Sequence, residues 1–313
     1  MTLSPPQFNP DNPRLARLRL LFGDAGLNKL AHSTVMVVGL GGVGGACAEA
    51  IARGGVGTLL LIDADVVEES NLNRQAVAWV STVGKPKTKV MAEMVRDINP
   101  DISVHTRAEF LTKDNANSVL DSFPTPDYVL DCIDTISAKL AIAQWCAERG
   151  IYLISAMGAA NKLDPTQLRF APLHKTKNCP VAKAVREGAK KRGIRGVEVL
   201  YSPEDPVAVV AVGAGDAAAS GPGHEGAEQD GSQDPLHAAP QNNKAQKLGS
   251  TSFMPPILGE MIAGRALLRL VGRLEYPNPP RLSARAHEEL AARHPEAGAD
   301  AGGADQHGVT DVA

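Results

Sequence analysis

A glycine-rich turn between an apolar run and a run of small residues constrains the fold of this chain more than any other feature. Residues 34–38 are apolar and rich in β-branched side chains, which is typical of a buried parallel strand. The turn that follows contains Gly39, Gly41, Gly42 and Gly44. Residues 46–53 then predict a helix with small side chains toward the sheet. Because the first amides of such a helix favour negative charge, the sequence predicts an anion site above the turn.

Further apolar runs alternate with helical patterns along the 313 residues. The predicted strands are residues 58–62, 102–105, 128–131 and 151–154, and the predicted helices are residues 85–97 and 137–149. A hydrophobic content of 43% is ordinary for a globular protein with a full core. The pattern predicts an α/β fold, with a Rossmann-like, mostly parallel sheet and helices on both faces.

Charged side chains behind the turn indicate which kind of anion binds. Asp63 stands about 20 positions on, where dinucleotide-binding folds hold a ribose, so this part of the pattern also fits NAD or FAD. Arg74 and Lys87 favour a nucleotide whose phosphates react. A hydride-transfer enzyme needs no such cations, whereas displacement of pyrophosphate from ATP does.

Two carboxylates follow the predicted strand 128–131. Asp131 and Asp134 lie at the edge of the sheet where open α/β folds bind ligands. Mg²⁺ takes one or two carboxylates together with phosphate oxygens, so Asp134 is a candidate magnesium ligand. The alternative is that both acids cap the helix beginning near Ser137.

These elements occur in the order found in the E1-like superfamily of adenylating enzymes, which includes the ThiF, MoeB and HesA proteins. The chain resembles that superfamily at residues 39–44, 63, 71–75, 84–87 and 131–134. The resemblance implies that ATP and Mg²⁺ are bound. The glycines and Asp63 would hold the nucleotide, and Asp134 the metal. The phosphates would meet Asn71, Arg74 and Lys87. It also implies a homodimer in which Arg17 reaches the phosphates of the neighbouring subunit.

Within the superfamily, the chain is similar to the tRNA threonylcarbamoyladenosine dehydratases. The residues that carry this resemblance are 17–23, 155–166, 180–186 and 190–194. Such enzymes use ATP to activate the carboxylate of the threonylcarbamoyl group on a tRNA adenosine, and the activated group then closes into a ring with loss of AMP. The alternative is an E1-like enzyme that adenylates the carboxyl terminus of a ubiquitin-like or sulfur-carrier protein.

The charge distribution leaves room for a tRNA partner. The net charge of −3 excludes a globally basic nucleic-acid binder, but residues 175–195 carry eight Lys or Arg residues against one acid, Glu187. Lys183, Arg186 and Lys190 are spaced to share one face of a helix beginning after Pro180. This face is either solvated or in contact with tRNA phosphates.

The four cysteines show neither metal-ligand spacing nor a disulfide framework. We expect Cys47 and Cys146 on helices and Cys132 in a strand, each as a small buried hydrophobic residue. Cys179 lies among lysines, and in carrier-activating enzymes a loop cysteine accepts the acyl group as a thioester. A catalytic role for Cys179 therefore stays open.

The organisation predicted is a single ATP-binding domain over residues 14–282. A polar, small-residue stretch at about 208–247 predicts a disordered insertion, and residues 283–313 predict a disordered tail. No amino-terminal signal or anchor is expected, and residues 253–271 predict a packed helix rather than a membrane span. The expected location is intracellular and cytoplasmic by default, with a mitochondrial association left open.

Overall fold

A computed structural model of the protein describes residues 9–210 and 248–293. Within these residues the chain forms eight α-helices and nine β-strands. The helices are α1 (Ala16–Ala31), α2 (Gly42–Arg53), α3 (Lys87–Ile98), α4 (Ala116–Asp121), α5 (Ile136–Arg149), α6 (Pro180–Lys191), α7 (Met254–Leu270) and α8 (Ala284–Arg293). The strands are β1 (Thr34–Val38), β2 (Thr58–Ile62), β3 (Ser103–Arg107), β4 (Tyr128–Asp131), β5 (Tyr152–Ala156), β6 (Arg169–Pro172), β7 (Ile194–Arg195), β8 (Glu198–Tyr201) and β9 (Arg281–Leu282).

Seven of the described strands form one sheet, in the order β3-β2-β1-β4-β5-β8-β6. All neighbours are parallel except β6 and β8, which pair antiparallel. Strands β7 and β9 form a separate antiparallel pair. The order reverses between β1 and β4, and ligands bind beyond the carboxyl ends of the strands at such a reversal.

Hydrophobic side chains project from both faces of the sheet and pack against helices. Along β1, Val35 and Val37 point to one face and Met36 and Val38 to the other, as the two-residue period of a strand requires. Helices α1, α2, α3 and α7 cover the first face, and α4, α5 and α6 cover the second. The predicted Rossmann-like fold with helices on both faces is therefore confirmed.

The predicted elements agree with the structure in type and differ at some ends. Strands β1, β2 and β4 have the predicted limits, and the helix predicted over 253–271 is α7. Helix α2 begins at Gly42 rather than at residue 46, because the glycines that disfavour a helix in isolation are held there by packing. Strands β6 to β9 and helix α4 were not predicted.

The first part of the tail that was predicted to be disordered is a helix in the structure. Helix α8 follows Ser283, whose backbone amide donates to the carbonyl oxygen of Gly193 at 2.7 Å. The tail was expected to be disordered because it contains many small and polar residues, but residues 284–293 are mostly Ala, Glu, Arg and Leu, which are good helix formers. Residues 294–313, and the predicted insertion from residue 211 to 247, lie outside the described residues. The single-domain boundaries thus stay a prediction.

Helix α7 returns to the sheet after the predicted insertion and is fixed there by a buried ion pair. The guanidinium of Arg269, which is 3% exposed, donates to both carboxylate oxygens of Glu198 on β8. The same guanidinium donates to the hydroxyl of Tyr128 on β4 at 2.5 Å. These contacts attach α7 to two strands of the sheet. Burial also raises the pKa of the Tyr128 hydroxyl.

The turn between β1 and α2 depends on a close backbone contact. A Cβ atom on Gly44 would lie 1.7 Å from the carbonyl oxygen of Gly39, well inside van der Waals contact. Gly39 itself has φ of 87°, a conformation that side chains with a Cβ atom rarely adopt. The two glycines let α2 start directly against the end of β1.

We expect Gly44→Ala to lower the free energy of unfolding by about 3 kcal/mol, because the new methyl group forces α2 away from the turn. Urea denaturation measures this change. Gly45→Ala is the matched control, since its Cβ atom would make only ordinary contacts at 3.5 Å. The control should change stability by less than about 1 kcal/mol. Equal stability of the two variants would contradict the close contact.

Candidate functional site

A cavity of about 440 Å³ lies at the carboxyl ends of the parallel strands. Its walls come from the segments that follow β1, β2, β3, β4 and β5, and from the start of α7. The volume is in the range of small-molecule sites. It brings together most of the site residues predicted from the sequence, namely Gly39, Gly41, Gly42, Asp63, Asn71, Arg74, Lys87 and Asp134.

The first wall is the glycine turn, which presents backbone amides. Helix α2 starts at Gly42, and its N-cap residue Gly41 has no side chain to cap the first amides. Uncapped amides at a helix start attract an anion. Gly44 is buried in the contact with Gly39 and does not line the cavity. Its part in the site is therefore to position the turn.

Asp63 follows β2 and holds the glycine turn in place. Its carboxylate accepts from the amide of Leu40 at 2.6 Å and from the amide of Asp65 at 2.7 Å. Burial raises the pKa of the Asp63 carboxyl, while these hydrogen bonds and the charge of Lys87 oppose the shift. The carboxylate oxygens keep lone pairs for a hydroxyl donor, so the predicted ribose contact remains compatible with this geometry.

The two predicted cations enter the cavity from different segments. The ammonium of Lys87, at the first position of α3, is buried and donates to a carboxylate oxygen of Asp65 at 2.8 Å. The guanidinium of Arg74 donates to the carbonyl oxygen of Ser70 at 2.9 Å and to the side-chain oxygen of Asn73 at 2.7 Å. Asp65 was not predicted as a site residue, although it stands only two residues after Asp63 and therefore near the same end of β2.

Two amide side chains complete this part of the cavity. Asn71 is buried and accepts from the amide of Glu68 at 3.2 Å, so it shapes the segment that carries Arg74. Gln75 is also buried, and its Oε1 atom has no hydrogen-bond partner within the described part of the chain. Buried acceptors are almost always paired. Gln75 lines the cavity, but this oxygen has almost no exposed surface, so it is not presented to a ligand in this conformation.

Asp134 lies beyond β4 with its carboxylate exposed. Helix α5 begins at Ile136, and its N-cap residue is Thr135, which makes no side-chain capping bond. The structure therefore does not support the alternative in which Asp134 caps the helix. In residues 9–210 and 248–293, no three His, Cys, Asp or Glu side chains group as a metal centre. A metal ion at Asp134 would take its other ligands from phosphate or water.

Asp131 has a different role from Asp134. It is fully buried, and both of its carboxylate oxygens accept from the ammonium of Lys139 at 3.1 Å. The hydroxyl of Ser155 donates to Asp131 at 2.5 Å, and Lys139 also donates to the carbonyl oxygen of Ala156 at 2.7 Å. This network joins the ends of β4 and β5 to the first turn of α5. A lysine within a predicted helix was the only sign of this network in the sequence.

The basic residues predicted outside the cavity lie on two helices. Arg17 is exposed on α1. Lys183 and Lys190 are exposed on α6, as predicted. Arg186 differs, because its guanidinium turns back to donate to the carbonyl and hydroxyl oxygens of Thr176 at 3.0 and 2.6 Å. It stabilises the segment before α6 and is less available to a partner.

The cysteines behave mainly as buried hydrophobic residues. Cys47 and Cys146 are buried on helices as predicted, and burial raises the pKa of both thiols. Cys132 lies one residue beyond β4 and lines the cavity, rather than lying within the strand. Cys179 is 6% exposed and its sulfur accepts from the amide of Ala182 at the start of α6. It does not line the cavity.

The fold and the cavity together define a nucleotide-binding α/β protein of the Rossmann-like class. The chain matches the ThiF family over residues 14–296 and belongs to that family. None of the helices within the described ranges combines the length and the apolar character that a bilayer span requires.

Curated relatives of the chain include several tRNA threonylcarbamoyladenosine dehydratases. The Bacillus subtilis enzyme is 45% identical over 197 residues, which is 63% of this chain and 77% of the relative. The Escherichia coli enzyme is 38% identical over 192 residues, covering 59% and 71% of the two chains. The solved structure of the E. coli dehydratase in complex with ATP matches with a TM-score of 0.67 and 29% identity, over 83% of this chain and 94% of that one.

We expect Lys139→Met to lower the free energy of unfolding by about 3–5 kcal/mol, because it leaves the Asp131 carboxylate buried without its counter-charge. Urea denaturation measures the loss. Replacing both charges, as in Asp131→Leu with Lys139→Met, should recover much of the stability, since no unpaired charge remains. Lys89→Met on the exposed side of α3 is the control and should be close to wild type. If Lys139→Met unfolds with the same free energy as this control, Lys139 and Asp131 do not form a buried ion pair.

Proposed function

We propose that this protein is an ATP-dependent dehydratase that acts on tRNA threonylcarbamoyladenosine. The observation that carries the proposal is that Arg74 and Lys87 line the same cavity as the glycine turn, in a chain of the same family and fold as the dehydratases. In the first step, a carboxylate oxygen of the threonylcarbamoyl group attacks the α-phosphorus of ATP. Pyrophosphate leaves, and an acyl-adenylate forms.

The second step takes place within the substrate. A carbamoyl oxygen or nitrogen attacks the activated carbonyl carbon, a five-membered ring closes, and AMP leaves. The net change in the nucleoside is the loss of one water. No side chain has to act as a nucleophile, which agrees with the burial of Cys179 away from the cavity.

The chain's own residues supply binding and charge stabilisation. We propose that the amides of the glycine turn hold the phosphates and that Asp63 holds the ribose. Asn71, Arg74 and Lys87 would bind the phosphates, and the two cations stabilise negative charge as pyrophosphate leaves. In the free protein Asp65 neutralises Lys87, so ATP would replace that carboxylate as its partner.

Magnesium fits this site through Asp134. The carboxylate is exposed in the cavity and accepts only a 3.3 Å hydrogen bond from the Thr135 hydroxyl in the described part of the chain, so it keeps lone pairs for a hard cation. When bound, Mg²⁺ would neutralise phosphate charge and orient the leaving pyrophosphate. The Asp134 carboxylate would hold the ion beside the glycine turn.

The tRNA partner is proposed to meet the exposed face of α6. Lys183 and Lys190 extend from this face, and each phosphate contact would add affinity that falls with salt. We also propose a homodimer in which Arg17 contacts the phosphates in the neighbouring subunit, since Arg17 does not line the cavity of its own chain. The cytoplasmic location stays a prediction.

One assay tests the function and its alternative together. Purified protein is given ATP with tRNA carrying threonylcarbamoyladenosine, or ATP with a ubiquitin-like carrier protein. AMP should accumulate only with the tRNA, and mass spectrometry should show a nucleoside lighter by one water. AMP formation with the carrier protein alone would reverse the assignment.

Lys87→Ala and Arg74→Ala should each reduce AMP formation by roughly 10²-fold or more, because each removes a cation from developing phosphate charge. The rate is measured at saturating tRNA. Lys89→Ala is the matched control, because this lysine lies on the same helix but is exposed and outside the cavity. If either variant keeps the rate of the control, its side chain does not act on the phosphates.

Asp134→Asn should remove most of the activity at low Mg²⁺, since an amide is a poorer ligand for Mg²⁺ than a carboxylate. Titration with Mg²⁺ should recover part of the rate at a higher midpoint. Asp114→Asn, at an exposed position outside the cavity, should leave the midpoint unchanged. Identical titration curves for wild type and Asp134→Asn would exclude a metal-binding role.

A further inference from the structure

The order of the strands in the sheet fixes the order of the segments along the cavity wall. From one end to the other, its walls come from the segments after β3, β2, β1, β4 and β5. An acid after β2 is the ribose position in Rossmann-like sites, and the glycine turn after β1 is the phosphate position. A nucleotide held by Asp63 and the glycine turn would therefore have its phosphates above β1, between Asp63 and the segment after β4. The wall beyond Asp134 is the segment after β5.

That last wall is the short segment of residues 157–160, Met-Gly-Ala-Ala. Ala159 lines the cavity. The ATP site described above uses residues from β1, β2, β4 and the segment between β2 and α3, but none from this segment. Since the group that reacts with the α-phosphorus must approach from outside the nucleotide, the segment faces the space that this group requires.

Both ends of the segment are fixed by hydrogen bonds. At its start, Lys139 donates to the carbonyl oxygen of Ala156, and the amide of Met157 donates to the carbonyl oxygen of Leu200 at 2.9 Å. At its end, Asn161 has φ of 57° and exchanges two hydrogen bonds with Gly249, of 2.9 and 2.7 Å. A segment held in this way cannot move aside easily, so the size of its side chains sets the space beside it.

The segment also contacts the basic helix. A Cβ atom on Gly158 would lie 3.0 Å from Cγ2 of Val181 in the first turn of α6. Lys183 is exposed one half-turn further along the same helix. The segment therefore connects the cavity wall at Ala159 with the first turn of α6 at Val181.

We infer that residues 157–160 form the subsite for the acyl group of the substrate, and that Ala159 determines which acyl group enters. The inference rests on the proposed function, because it takes the threonylcarbamoyl group as the substrate. It also rests on the cavity being a ligand site, which the glycine turn and the buried Lys87 in its wall indicate independently. The small side chain of Ala159 leaves room for the branched threonine portion.

Ala159→Val tests the subsite, with Ala160→Val as the matched control, because Ala160 is the neighbour that does not line the cavity. Ala159→Val should lower kcat/KM for modified tRNA at least about tenfold, since extra bulk in a fitted pocket rejects the substrate. The dissociation constant of a non-hydrolysable ATP analogue should change less than about twofold. Affinity for the same tRNA without the threonylcarbamoyl group should be that of wild type.

Thermal unfolding of both variants shows whether Ala159→Val is folded. If it is not, Ala159→Ser, which adds less bulk, is compared with wild type in the same kinetic and binding assays. If wild type is active and Ala159→Val has the same kcat/KM for modified tRNA, the proposed subsite is wrong and the proposed function is unaffected. Equal losses of ATP and tRNA affinity would place Ala159 in the nucleotide site and also overturn it. A wild type that is inactive on modified tRNA would overturn the function and the subsite together.

Discussion

The close packing of α2 against the end of β1 sets the position of the cavity. Because Gly44 has no side chain, the helix starts within contact distance of Gly39, and its first amides face the space beyond the sheet. Asp63 secures the same turn from the neighbouring strand through the amide of Leu40. The turn is thus held by sterics from one side and by a charge-assisted hydrogen bond from the other. An anion meets preorganised donors there.

Two ion pairs with different exposure organise the rest of the site. Asp131 and Lys139 are both buried, so their pairing is a fixed part of the core that ties β4, β5 and α5 together. Lys87 is buried but its partner Asp65 is half exposed at the cavity. The first pair cannot be opened without leaving a charge unpaired, whereas the second can exchange a carboxylate for a phosphate. Stability and ligand binding are therefore carried by separate charges.

The strand order also gives the proposed ligands a definite order along the cavity. In the proposed complex, adenosine would lie toward β2, the phosphates above β1, the Asp134 carboxylate after β4, and the acyl group along the segment after β5. This order follows from the parallel strands, whose carboxyl ends all open on one edge. The proposed two-step reaction needs no movement of the substrate from one site to another.

The local sequence determined the alternation of strands and helices, the glycine turn and the residues expected at the nucleotide. These were predictable because burial gives strands continuous apolar runs, and because a turn beside phosphates tolerates little but glycine. The pairing of Asp131 with Lys139, the contact of Lys87 with Asp65, and the open acceptor of Gln75 were decided only by the tertiary structure. Each depends on which groups meet across different strands and helices and on how far water is excluded. A single sequence contains neither distances between segments nor the burial that fixes the role of a charge.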